Sequence, residues 1–106
     1  MATVIDITTK IKQEPAFIKI GDQSFEVDKS KNTMIEVMAK LNEEDSIENL
    51  DIAIGKMLGR DGKKAIDGMK LDFKAYQTVF IAVMACAMDL TFEEAEARFH
   101  KAESII

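Results

Sequence analysis

Tryptophan is absent from this chain, and cysteine, proline and histidine occur once each. A single cysteine, Cys86, makes no intrachain disulfide, which removes the small secreted disulfide scaffolds. A single histidine, His100, needs partners before it can do chemistry. Glu96 precedes it by one helical turn, but two ligands alone make a poor metal site, and the spacing is not the Glu-x-x-His of di-iron bundles. An exposed histidine near a helix C-terminus accounts for it. Long apolar runs are also missing: the longest, Val79 to Met88, has ten residues, whereas a membrane span needs about 20. Met1 to Gln13 lack the basic start and apolar core of a signal peptide, so the expected compartment is the cytoplasm. Basic residues are the minority, 14 against 19 acidic, for a net charge of −5. A general nucleic-acid binder needs a basic face to neutralise phosphates.

What is present suffices for one domain. The 106 residues are 47% apolar and 31% charged, a balance that supports a packed core rather than disorder. There is no internal repeat and no low-complexity tract. Pro15 separates an N-terminal segment, residues 1–15, from the rest, and Val4, Ile5, Ile7 and Ile11 suit either an edge strand or an arm. Residues 16–106 read as a single unit.

Ala16 to Val27 predict a β-hairpin closed by Gly21-Asp22. Pairing outward from that turn sets Ile20 against Gln23, Ile18 against Phe25 and Ala16 against Val27. Ile18, Ile20, Phe25 and Val27 then share one face, with Lys19, Ser24 and Glu26 on the other, and a one-residue slip destroys the segregation. A lone hairpin is marginal, so this apolar face requires helices beneath it.

Helical signals follow. Thr33 with Glu36 fits a capping box before Met34, Val37, Met38 and Leu41. Asp45 with Glu48 fits a second, before Ile47, Leu50, Ile54, Met57 and Leu58. Gly59 to Gly62 read as a turn, with Asp61 capping a short helix through Ala65, Ile66 and Met69. Asp72 precedes an apolar helix from Phe73 to Met88. Thr91 with Glu94 makes a third box, followed by Phe92, Ala95, Phe99 and Ala102. The fold class is α+β, mostly helical, with an N-terminal hairpin packed on four to five helices. The Phe73–Met88 helix is apolar nearly all round; either it is the central helix or part of it meets another subunit.

Local motifs yield no catalytic constellation. In Gly55 to Lys64, counting back from Gly62-Lys63 places Met57 where a P-loop has its first glycine, and Lys64 follows where Ser or Thr is required. Asp28, Ser30 and Asn32 alternate like a calcium loop, but Thr33 occupies the glycine position and Ala39 the bidentate-acid position. Cys86 lies among Met84, Ala85, Ala87 and Met88, without the positive neighbour a reactive thiolate needs. The expectation is no enzyme, no metal and no cofactor.

Two charged groups and the methionines remain. Glu43, Glu44, Asp45, Glu48 and Asp51 form an acidic cluster. Lys56, Arg60, Lys63, Lys64, Lys70 and Lys74 form a basic belt. They read either as solvated faces or as complementary ends of neighbouring subunits. Residues 1–53 hold six basic and eleven acidic side chains, and residues 54–106 hold eight of each, so the excess negative charge is in the first half. Six methionines are internal. Met34/Met38 and Met84/Met88 recur at i, i+4, a spacing that fits core packing and equally a methionine-lined groove for a partner helix.

The layout as a whole, FIKIGDQSFEVDKSKNT leading through helices to LDFKAYQTVFIAVMACAMDLTFEEAEARFHK, resembles the small tail assembly chaperones of long-tailed bacteriophages and prophages over residues 16 to 103. That resemblance implies a non-enzymatic protein of the host-cell cytoplasm, absent from the mature virion. It implies a helical client, the tape measure protein, which such chaperones keep in solution until the tail tube polymerises. It also implies self-association into rings or spirals. It carries no catalytic residues. Met34, Met38, Met84 and Met88 are the candidate client-binding residues, with no nucleic acid and no membrane as partner. A structural connector of a virion or other assembly, and an acidic regulatory binder, are the alternative readings.

Overall fold

A computed structural model describes residues 3–11, 13–43 and 47–104. The hairpin is formed as its alternation requires: β1 (Ala16–Ile20) and β2 (Gln23–Val27) pair antiparallel in the register Ala16↔Val27, Ile18↔Phe25, Ile20↔Gln23. Gly21 takes φ 60°, and Asp22 is not in the positive-φ region. That is the pattern of a turn with glycine at its first central position, whose twist matches the strands. Ile18 and Val27 are buried, and Ile20 and Phe25 pack against the same core.

Four helices follow: α1 (Lys31–Glu43), α2 (Ile47–Gly68), α3 (Phe73–Met88) and α4 (Phe92–Ser104). Helix α1 starts a turn before the expected Thr33–Glu36 box. Ser30 is its cap, its hydroxyl accepting from the Thr33 N–H at 3.4 Å, while Asp28 accepts from the Ser30 N–H at 3.0 Å and from the Thr33 hydroxyl at 2.7 Å. Thr33 is therefore third in the helix, and Glu36 is left to pair with Lys56 at 3.1 Å instead of closing a box. The box expected at Asp45 lies outside the described residues.

The expected turn at Gly59–Gly62 contracts to one residue. Gly59 alone leaves the helical region, with φ 76° and ψ 173°, a conformation open mainly to glycine. The stretch of α2 after the break is the expected short helix, with Asp61 in its first turn. A break in a helix strips carbonyls of their i+4 partners. Here the Asp28 N–H at the end of β2 donates to the Met57 carbonyl at 2.7 Å, so the hairpin is tied to α2 at its break.

Asp72 caps α3 as expected, accepting from the Ala75 N–H at 2.8 Å. The helix ends with Asp89 in the left-handed conformation and the Leu90 N–H donating to the Ala85 carbonyl at 2.9 Å, a Schellman stop. The Thr91–Glu94 box closes in both directions, each hydrogen bond 3.1 Å, and the chain turns by 116° into α4.

The hairpin lies on α2 and α3, α1 packs on α2, and α4 packs on α3. Helix α3 is the central element, in contact with both strands, α2 and α4. The main core is centred on Ile54, Met57, Ile66, Val37 and Val83, all essentially inaccessible to solvent. A smaller cluster of Ile81, Ala85 and Ala95 holds the α3–α4 corner. Among its described residues the N-terminal segment forms no strand. It carries a single 3-10 turn at Thr8–Lys10, and Val4, Ile5, Ile7 and Ile11 are 86%, 79%, 53% and 52% exposed. The chain measures 60 × 36 × 23 Å with a radius of gyration of 15.8 Å. A compact domain of this length has about 13 Å.

Candidate functional site

A strongly apolar concavity lies where α1, α3 and α4 fail to close on one another. Leu41 from α1, Phe80, Ile81, Met84 and Met88 from α3, and Ala95, Arg98 and Phe99 from α4 line a groove of about 220 Å³, with Leu90 at the corner. Arg98 is its one charged lining residue. The groove lies between α4, which packs on α3 after the 116° turn, and α1, which is anchored through α2. Phe80 and Phe99 form its floor, their ring centroids 6.1 Å apart and tilted by 59°, an edge-biased arrangement that aromatic quadrupoles favour.

The four candidate methionines separate. Met84 and Met88 line this groove; Met88 is 37% exposed, and Met84 packs partly against the main core. Met34 also packs partly against that core, and Met38 is 40% exposed on α1, one turn before Leu41. Neither Met34 nor Met38 is among the groove's lining residues. Leu41, Phe80 and Phe99 are the residues that sequence reasoning missed. Their helical spacing marks them as apolar, but only the packing of three helices makes them neighbours.

A polar cluster sits elsewhere, across the break in α2. The Tyr76 hydroxyl donates to Asp51 at 2.5 Å. Lys63 pairs with Asp51 at 2.9 Å and with Asp67 at 2.6 Å, and its ammonium lies 5.8 Å from the centre of the Tyr76 ring. Burial opposes the charge on Lys63, but Asp67 and Asp51 outweigh it and hold the ammonium above the ordinary lysine range. Burial likewise opposes the Asp51 carboxylate, and the Tyr76 hydroxyl with Lys63 outweighs it, holding Asp51 below the usual carboxylate range. Burial, reinforced by Asp51, pushes the Tyr76 phenol up. Every charge has a partner, so the cluster is a clamp joining the two halves of α2 to α3.

The clamp also revises the surface-charge reading. Asp51 belongs to it and not to a free acidic cluster, and Lys56 and Lys63 of the basic belt find their acids within the chain. Glu44 and Asp45 lie outside the described residues, as do the side chains of Glu43 and His100. Cys86 is half-buried, and burial raises its thiol pKa, opposite to the shift that makes a thiolate. The described residues hold no group of three or more His, Cys, Asp or Glu side chains fit for a metal ion. No single helix among them is long and apolar enough to cross a membrane. No protein-family model, curated protein or solved structure matches the chain.

Proposed function

We propose that this protein is a non-enzymatic binding protein that holds an amphipathic helix of a client against the α1–α3–α4 groove. The carrying observation is the groove itself: about 220 Å³, lined by aliphatic, aromatic and methionine side chains with a single charge, Arg98, on its α4 side. An amphipathic helix lays its apolar stripe into such a surface, and Met84 and Met88 repack against different stripes because the thioether chain is unbranched. The resemblance to tail assembly chaperones supplies the client: the tape measure protein of a phage or prophage tail, held in the host cytoplasm until tube assembly. Self-association into a ring or spiral multiplies weak contacts along a long helical client through effective concentration.

The test is co-expression with a tape measure protein encoded beside this chain. Its soluble fraction should rise when this chain is present, a complex should be recovered, and Met84→Asp with Met88→Asp should abolish both. If the client is equally soluble alone and no complex forms, the chaperone reading fails. Recovery of this chain from finished particles favours the structural connector.

A further inference from the structure

A second groove, about 510 Å³, runs between the outer edge of β1 and helix α3, with Thr78, Val79, Ala82, Ala85 and Cys86 on its helical side and Phe92 at its end. Among the described residues the sheet has two strands, so β1 has one edge with no strand partner there. In a two-residue hairpin the pair closing the turn is hydrogen-bonded, and such pairs alternate along the strands. Ile20, Ile18 and Ala16 therefore direct their backbone groups to β2, and Phe17 and Lys19 direct theirs outward. The Cys86 thiol, 3.6 Å from the Phe17 carbonyl oxygen, agrees with this phase and takes one of that oxygen's two lone pairs. The Lys19 N–H and carbonyl have no backbone partner among the described residues. The groove's rim carries Glu14, Lys19, Lys29 and Asp89, and its helical wall is mostly apolar; an open edge over such a wall is a site for strand addition.

The same chain carries a segment that fits it. Val4 to Thr8 read VIDIT: four of five are β-branched, a composition suited to strands, and five residues equal the length of β1. Its apolar side chains are solvent-exposed. In an antiparallel register that keeps inward residues opposite inward residues, Ile5 meets Ile20 and Ile7 meets Ile18, both above α3. Asp6 then falls opposite Lys19, and Thr8 opposite Phe17, on the outer face. The Asp6–Lys19 and Thr8–Phe17 pairs are also the two positions where the outward backbone groups of β1 await partners. Pattern, length, charge and hydrogen-bond phase agree in one register.

We propose that the Val4–Thr8 arm of one copy adds as a third strand to the β1 edge of a second copy, seating Ile5 and Ile7 in the groove against α3. The bond between Asp6 and Thr8, 2.6 Å to the hydroxyl and 3.0 Å to the N–H, and the 3-10 turn after it open on docking. Arm and edge are different patches, so the contact repeats head-to-tail into a ring or an open spiral, or closes as a two-fold dimer where two copies exchange arms. The inference rests on the self-association within the proposed function, and its test needs no client.

Sedimentation velocity on the full chain should show association that grows with concentration, and hydrogen exchange at the Lys19 amide should slow in parallel. Ile5→Asp with Ile7→Asp should weaken association by about 100-fold or more and leave far-UV circular dichroism unchanged, because the arm lies outside the core. Lys19→Glu should weaken it by about fivefold, and adding Asp6→Lys to Lys19→Glu should restore it. A monomer whose Lys19 amide is protected at every concentration means that the arm closes on its own edge, which overturns the proposal. A monomer with an unprotected edge overturns it as well, as does association that survives the two isoleucine substitutions. The groove lined by Met84 and Met88 is intact in all these variants, so client binding persists or fails independently of them.

Discussion

The two hydrophobic clusters of this chain are built differently. The main core draws on both strands and on α1, α2 and α3, and its largest fully buried side chains are Ile54, Met57, Ile66, Val37 and Val83, with Ala53 buried among them. The α3–α4 corner buries Ile81 and two alanines, Ala85 and Ala95, with Leu90, Phe92 and Phe99 partly covered. Its geometry relies on local devices, the Schellman stop at Asp89–Leu90 and the Thr91–Glu94 box. A long-range core sets global stability, whereas a corner held by caps and small residues is free to open by itself. The proposed client groove lies along the boundary between the two: Leu41 and Phe80 belong with the main core, Ala95 with the corner. Its width therefore depends on how firmly α4 is held.

The sharpest way to break this comparison is to hollow the main core. Ile54 has no exposed surface, and Ile54→Ala should cost about 2–5 kcal/mol. Chemical denaturation followed by far-UV circular dichroism should show one cooperative transition moved to lower denaturant. Loss of α4 alone, with the rest intact, would place Ile54 outside the unit that carries global stability.

The clamp across Gly59 is the next test, and it acts within the main body. Tyr76→Phe removes the hydroxyl that donates to Asp51. Hydrogen bonds to a charged group contribute about 1.5–3 kcal/mol when buried, and this one is partly exposed, so about 1 kcal/mol is expected. The phenol is held above its ordinary pKa of about 10. Its contribution is complete below that pH and is lost as pH rises through the folded-state value. Wild type should therefore lose stability in the alkaline range, and Tyr76→Phe should lose less over the same span. Equal alkaline slopes for the two proteins would remove Tyr76 from the clamp.

The sequence carried the hairpin register because one turn and a strict two-residue alternation determine it together, and a slip inverts every side chain. It carried the Asp72 cap and the Thr91 box because each involves residues three apart. The start of α1 was ambiguous for a physical reason. Ser30 and Thr33 are both competent caps spaced by one turn, and Asp28, by accepting from both, selects Ser30. The clamp left a trace only in Lys63 and Asp67 at i, i+4, since Asp51 and Tyr76 are 25 residues apart. The four methionines show the same limit. Met34 and Met38 share a helix with Met-to-Met spacing identical to that of Met84 and Met88, yet only the second pair reaches the groove. Helical spacing establishes which residues share a face, and the neighbours of that face come from long-range packing.

The last expected effect falls on the corner, and it separates the two regions most cleanly. Thr91 accepts from the Glu94 N–H, and Glu94 accepts from the Thr91 N–H. Hydrogen bonding from the Thr91 backbone N–H, and then from its side chain, holds the Glu94 carboxyl below its usual range, and the negative charge in the first turn also complements the exposed N–H groups of α4. A depressed carboxylate pKa stabilises the fold above the ordinary glutamate value, about 4.3. That contribution is lost as pH falls through the lower folded-state value. Acidification from pH 6 toward pH 3 should therefore loosen the start of α4 before the main core responds. Thr91→Ala should cost about 1 kcal/mol, the usual loss at a helix N-cap, and should flatten the acid response at Glu94. Amide hydrogen exchange reads both: residues 93–97 should exchange faster in the variant, while Ile54, Met57 and Ile66 keep near wild-type protection. If those core amides accelerate by the same factor, the corner and the core unfold as one unit, and the groove cannot widen by movement of α4 alone.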